Sequence, residues 1–238
     1  DSLAEAHTSL AWVLFIHDWD WDAAGREFRR AIELDPRYAS ARQWYSWYLA
    51  AMGRIPESLA EGQRSVELDP TSVSIRRSFG WLYYYARTPH LGIPHLARAL
   101  VMNPESPDNH LLLTILLIHS GRLTEARESV NVVLDLIPDD SYAMVVRAHL
   151  DILQGRREEA EATWERFEAL RQERYVSPTD FARLSLVLGR TDAAFTWLER
   201  ARAERRGWLV YARVDPLFDS IRRDPRFAEL LKVMRLDR

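Results

Sequence analysis

The sequence predicts an all-α, right-handed solenoid of six helix pairs closed by a C-terminal helical cap, and three periodicities carry that prediction. Proline recurs every 34 residues at Pro36, Pro70, Pro104 and Pro138. Glycine keeps the same interval at Gly53, Gly121, Gly155 and Gly189, with Arg87 in the one missed slot. Small residues do so in two further series: Ser46, Gly80, Thr114, Ala148 and Ala182, then Ala24, Ser58, Gly92, Ala126, Ala160 and Ala194. One spacing shared by three residue classes marks a structural repeat. A repeat array forms one elongated domain whose core grows unit by unit.

The units run over about 1–36, 37–70, 71–104, 105–138, 139–174 and 175–206, with a capping segment at 207–238. The first is one residue longer between its helices, at His17-Asp18-Trp19-Asp20-Trp21-Asp22. In the second, Tyr38 to Met52 carries apolar residues at helical spacing and ends at Gly53, which tolerates the positive φ of a helix C-terminus. Pro56 then occupies a first turn, where its missing N–H costs little. That helix runs to Leu68, and Asp69-Pro70 closes the unit, because proline disfavours helical geometry in the residue before it.

The third unit places Gly92 and Pro94 inside the start of its second helix, so a late start or a kink is expected there. The fourth repeats the standard layout, with a helix to Ser120, Gly121, a helix from Thr124 and a stop at Pro138. The fifth has Gln172 where the closing proline belongs, and its second helix is predicted to continue to about Arg174. Ser177 caps a shortened helix in the sixth, with Asp180 completing a capping-box-like pair. After Ala201 the beat stops. Gly207-Trp208-Leu209-Val210-Tyr211 breaks the helical pattern, and Asp215-Pro216 and Asp224-Pro225 each open a short segment. Phe218, Ile221, Phe227, Leu230, Leu231 and Met234 give these segments an apolar face, as the end of a repeat array requires.

The two small-residue series explain the packing. They fall on the first and second helices of each unit, where small side chains let crossing backbones approach to about 8–10 Å. Hydrophobic residues make up 47% of the chain, enough for a continuous core. A net charge of −3 argues against a nucleic-acid footprint and against a polybasic membrane contact. The longest apolar run, Leu111 to Ile118, is far short of a membrane span. With no cysteine, disulfides, thiolate metal sites and cysteine nucleophiles are excluded. That composition suits cytosol and periplasm alike. The expected compartment is the cytoplasm, with the periplasmic side of a membrane-anchored parent left open. Residue 1 is Asp and no signal peptide is visible, which reads as an excised domain or a processed chain.

Few motifs carry chemistry. Asp18, Asp20 and Asp22 alternate like the start of a calcium loop, but Ala23 and Arg29 stand where Gly and Glu are needed. None of the seven histidines forms an HExxH pair, and the nine glycines never cluster into a phosphate loop. Neither a metal nor a cofactor is expected, and an enzyme is the least favoured class.

Ala-Ile-Glu-Leu-Asp-Pro at 31–36, Val-Glu-Leu-Asp-Pro at 66–70 and the 34-residue period together resemble the tetratricopeptide repeat family, over about residues 3–206. The chain departs from that consensus in lacking the Trp early in each first helix. A narrower set of residues is similar to the C-terminal repeat region of bacterial multidomain signalling proteins. It comprises Asp18 to Asp22, the helix from Arg26 through Phe28 and Ile32 to Leu34, Tyr175-Val176-Ser177-Pro178, Gly207 to Tyr211, and the two Asp-Pro segments. In those proteins such arrays follow a Ser/Thr kinase, a winged-helix regulator or a nucleotide cyclase.

The family resemblance implies that the first helices line a concave groove. Trp12, Trp47 and Trp81 occupy one place on three successive first helices, each directly after a small packing residue. The same face adds Phe15, Arg77, Tyr84, Tyr85, Leu111, Ile115, His119, Tyr142 and His149. Partner grooves are enriched in Trp, Tyr and Arg, which combine contact area with a polar handle. Lysine is missing from this face and Arg77 is isolated, so an aromatic, apolar-lined groove is expected rather than a carboxylate clamp. The reading is a module that binds a protein or peptide segment. A small-molecule sensor and a homodimer joined through the C-terminal segment are the alternatives.

Overall fold

The computed structural model describes residues 2–237. The first pair is α1 (Ser2–Val13), extended by a π-helical turn over Leu14–Asp18, and α2 (Trp21–Leu34). Then follow α3 (Ala39–Ala51) with α4 (Ile55–Leu68), and α5 (Val73–Tyr85) with α6 (Pro89–Met102). The array continues with α7 (Pro107–His119) and α8 (Leu123–Leu136), α9 (Ser141–Leu153) and α10 (Arg157–Glu173), and α11 (Pro178–Leu188) and α12 (Thr191–Ala203). Two 3₁₀ segments, Gly207–Tyr211 and Pro216–Ile221, lead to α13 (Pro225–Val233). Each helix packs on its pair partner, and each second helix also packs on the next first helix. No strand occurs among the described residues.

The repeating residues sit where their chemistry requires. Gly53, Gly121, Gly155 and Gly189 all adopt φ between +72° and +76°, and Arg87 takes the same place at +63°. The residues before three of the periodic prolines, Asp35, Asp69 and Ile137, share an extended φ of −132° to −136°, as a following proline demands. Ser46, Thr114, Ala148, Ala182 and the partner series at Ala24, Ser58, Ala126, Ala160 and Ala194 are buried. Where the two series meet, contact is close. Ser58 Oγ donates to the Ser46 carbonyl at 2.7 Å, and a Cβ on Gly80 would stand 2.2 Å from Leu96 Cδ2.

The irregular units resolve differently from one another. The extra residue in the first is absorbed by the π turn, which holds one more residue per turn than an α-helix. Trp19 then takes a left-handed φ of 59°, and Asp20 caps α2 by accepting from the Ala23 N–H at 3.0 Å. α6 does not start late: it begins at Pro89 and keeps Pro94 inside it. Proline is tolerated at a first helical position, so Pro89 rather than Pro94 sets the start. α10 runs to Glu173, one residue short of expectation. Ser177 does cap α11, but Asp180 forms no capping box. Its carboxylate accepts instead from Ser141 Oγ at 2.7 Å and from Arg183 Nη1 at 2.9 Å.

α13 covers the last repeat. Arg226 bonds Asp192 at 2.8 Å and lies 4.1 Å over the Phe195 ring, while Leu230 and Val233 face Leu198. The chain between α12 and α13 crosses the face formed by the first helices. A single apolar core therefore runs from Ala11 and Phe15 to Phe227, Met234 and Leu236. A smaller cluster around Phe167 and Phe181 joins α9, α10 and α11.

Candidate functional site

The concave face is built by the first helix of each repeat, and the segment 207–221 lies on it. Arg205 Nη1 donates to the His17 carbonyl at 2.9 Å, carrying the end of the sixth repeat to the first. Gly207 then passes so close to Ile16 that a Cβ would meet its Cγ2 at 2.9 Å, which accounts for glycine there. Tyr211 stacks on Tyr85 at 4.9 Å between centroids and meets Trp47 edge-on at 5.4 Å and Phe15 at 6.1 Å. Asp215 is buried, and its carboxylate accepts three hydrogen bonds, from Tyr84 Oη at 2.7 Å, Trp208 Nε1 at 2.8 Å and the Leu217 N–H at 2.9 Å. Arg87 holds Asp219 through two bonds, one of 2.8 Å. Beyond α13, Trp21 Nε1 donates to the Met234 carbonyl at 2.9 Å, joining residues 213 apart in sequence.

This arrangement corrects part of the groove expected from sequence. Phe15, Tyr84, Tyr85 and Ile115 are core residues, because the tail buries them from the concave side. Trp12, Trp47, Trp81, Leu111, Tyr142 and His149 are half-buried, and His119 is exposed. Trp12 leans on Trp44 at 5.0 Å and meets Phe15 edge-on at 5.7 Å. Arg77 is spent on Asp108 at 2.6 Å.

Four of the expected residues do come together. Trp47, Trp81, Tyr85 and Tyr142 line a cleft of ≈ 210 Å³ with Arg183, Trp208 and Tyr211. Sequence reasoning missed Arg183, although it continues the ladder: 12, 47, 81, 115, 149 and 183 are spaced by 35 and then by 34 throughout. Its guanidinium lies between two rings, 4.1 Å from the Tyr142 centroid and 4.2 Å from that of Trp208. Such a cation over aromatic faces is attracted by the ring quadrupoles. Burial pushes the Tyr142 phenol up to about 12, so this ring enters as a neutral group. Among the described residues that line it, Arg183 Nε and Tyr211 Oη are closed to solvent and have no hydrogen-bond partner.

A second, smaller hollow of ≈ 30 Å³ lies between Tyr84, Ile115, His119, Tyr142, His149 and Leu217. His119 and His149 meet there at 5.8 Å, and burial holds the His149 imidazole down to about 4. No three His, Asp or Glu side chains stand together as a metal site among the described residues. No helix among them is long and apolar enough to cross a membrane.

Residues 20–73 and 88–147 each match a family model of the tetratricopeptide repeat. No curated protein sequence matches the chain. Among solved structures, the type IV pilus biogenesis factor PilW is 18% identical, with 85% of this chain and 94% of that one covered at a TM-score of 0.66. PilF of Pseudomonas aeruginosa is 16% identical over 90% and 96% of the two chains, with a TM-score of 0.61. YrrB, described as a tetratricopeptide-repeat protein with an unusual peptide-binding site, is 18% identical over 67% and 81%, at 0.51. Helix pairs of 34-residue period, the family matches over 20–73 and 88–147 and these neighbours agree: the chain carries tetratricopeptide repeats and folds as a tetratricopeptide-repeat solenoid.

Proposed function

We propose that this chain is a non-catalytic interaction module that binds a protein or peptide segment on its concave face, alongside its own tail. The observation that carries this is the state of the tryptophan ladder. After residues 207–221 have filled most of the face, Trp47 and Trp81 remain half-exposed and border an open aromatic cleft. The tail itself illustrates the chemistry the face accepts, since it docks through a stacked ring and a hydrogen-bonded carboxylate.

A partner joins the tail and does not replace it. Leu209, Val210, Tyr211, Phe218 and Ile221 are all buried, and burying five large side chains contributes on the order of 10 kcal/mol gross. Displacing them would consume nearly the whole of a nanomolar affinity, about 12 kcal/mol. The peptide-binding site named for YrrB supports this use of the fold. The cleft is smaller than the roughly 300 Å³ at which sites for whole small molecules begin, which argues against the sensor reading. The likeness of the tail and linker motifs to bacterial signalling proteins supports a scaffold or sensory role beside a kinase, regulator or cyclase. Photo-crosslinking tests the proposal. A photoreactive residue at position 47 is expected to capture a discrete protein in cells, and one at position 67 on the outer helix α4 is not. Equal labelling from both positions would refute it.

A further inference from the structure

We infer that the outer face of α6, on the convex side of the array, docks an amphipathic helix of a partner protein, one whose apolar stripe is flanked on one side by Lys or Arg. The other repeats supply the comparison. Leu91 and Val101 of α6 are 47% and 83% exposed. At whole periods from Leu91 stand Glu57, Glu125 and Glu159, and at whole periods from Val101 stand Glu33, Glu67 and Asp135, all of them exposed. Ala97 likewise falls where Arg29, Gln63, Asn131 and Glu165 fall in the other second helices. α6 contains no carboxylate and a single arginine, Arg98. Outward positions that are charged or polar in the sister helices are therefore apolar in this one, with exposed Pro94 between them. A contiguous exposed apolar strip of this kind marks a contact surface.

Size and charge together select the occupant. Residues 91–101 span about 15 Å of helix, between the outer helices α4 and α8. That strip holds one crossing helix and falls far short of the roughly 800 Å² per partner that a stable dimer buries. Pro94 and Ala97 are short at its middle, which lets a crossing backbone come close. On the α4 side, Glu57 and Glu67 are neutralised by Arg54 and Arg64. On the α8 side, Glu128 and Asp135 stand one period beyond Pro94 and Val101 and are exposed. They form no ion pair among the described residues, and neither does exposed Glu105 just past the end of α6. An anionic lipid surface would be repelled by these carboxylates. A second copy would bring the same acids, with Arg98 as the one cation on its strip. A helix with Lys or Arg along one flank matches both the apolar row and the acidic row beside it, and such helices are read through anchors at i, i+3 and i+7.

Display selection on the whole chain tests this. The probe is a library of helices of about 18 residues, or five turns, with a fixed Leu/Ala stripe and randomised flanks. Peptides that also bind the Leu91→Glu/Val101→Glu double variant are discarded, which removes ligands of the concave face. That variant restores the α4 residues at both places and should melt within about 4 °C of the parent. The surviving peptides are expected to carry Lys or Arg on one flank and to bind with dissociation constants of about 10–100 μM at low salt. Val101→Glu alone, at the more exposed site, should weaken them roughly tenfold or more. Glu128→Gln combined with Asp135→Asn should weaken them about threefold and flatten their salt dependence. Survival of no peptide, or of peptides with acidic flanks, would overturn the assignment. So would a dimer abolished by Val101→Glu in sedimentation, which would give the strip to a second copy. Flotation with phosphatidylcholine–phosphatidylserine vesicles that is lost in Val101→Glu would give it to a membrane instead.

Discussion

Replacing Tyr211 separates a solenoid that ends in a cap from one whose two ends are tied through its concave face. Tyr211 is 5% exposed and touches Phe15, Trp47 and Tyr85, which belong to three different repeats. Removing a buried aromatic side chain costs about 3–5 kcal/mol. For a chain of this length that lowers the melting temperature by about 6–20 °C, at 2–4 °C per kcal/mol. Tyr211→Phe should do the opposite. The hydroxyl is buried without a partner, so its removal is expected to be neutral or to stabilise by up to about 1 kcal/mol. Hydrogen exchange read helix by helix gives the decisive measurement. In an array stabilised only by neighbouring repeats, a change near the C-terminus should loosen α11 and α12. Here Tyr211→Ala should loosen α1, α3 and α5 first. Loss of protection confined to α11 and α12, or a Tyr211→Phe variant several degrees less stable than the parent, would refute the reasoning.

Three further outcomes follow from named contacts. Gly80→Ala should cost about 1–3 kcal/mol in a denaturant titration, because its Cβ would overlap Leu96, whereas Arg77→Ala, an exposed ion pair, should change stability by less than about 1 kcal/mol. Asp215→Asn should cost about 2–4 kcal/mol, since the amide turns one donor toward the N–H or O–H groups that the carboxylate accepts from, and the tail's near-ultraviolet circular dichroism should weaken with it. His149, held to about 4 against 6.5 when free, refuses a proton that the unfolded chain accepts between those values. Stability should therefore be level above pH 6.5 and fall as the pH drops from 6.5 to 4, with a smaller fall in His149→Phe.

The repeats were legible because their constraints are local. A glycine with φ near +74° serves four of the turns from a first helix into a second, and Trp19 and Arg87 take the same left-handed region at the other two. Alanine and serine at a helix crossing are likewise read from spacing alone. The tail was legible only as an apolar face in need of cover. Packing flat on α12 or lying across the first helices would bury Phe218 and Ile221 equally well, and no periodicity distinguishes the two. Its real path depends on contacts such as Trp21 with Met234, which no local pattern encodes. Buried Tyr84 and Tyr85 read as groove residues from sequence for the same reason: each is inward-facing, and only the tail decides whether inward means solvent. Arg183 was a different kind of miss. It lies one period beyond His149, which shares the face of the tryptophan ladder, but it is charged where Trp12, Trp47 and Trp81 are aromatic.

Closure also changes what kind of cooperativity the array can have. In an open solenoid each interface is local, so an end repeat can fray at a cost set by its single neighbour. Here the first repeat has two sets of contacts. It packs on α3 in sequence order, and it is held by Arg205, Gly207, Tyr211 and Met234 from the far end. Fraying α1 and α2 therefore also exposes Tyr211 and the face of α13, and that loss is felt at α12 through Arg226 and Leu230. The two ends must open together or not at all. The aromatic cleft lies between these clamps, with walls drawn from α3, α5, α9, α11 and the tail. Its rings are thus positioned by the whole array, so the cleft is preorganised and a group that entered it would lose little ordering entropy.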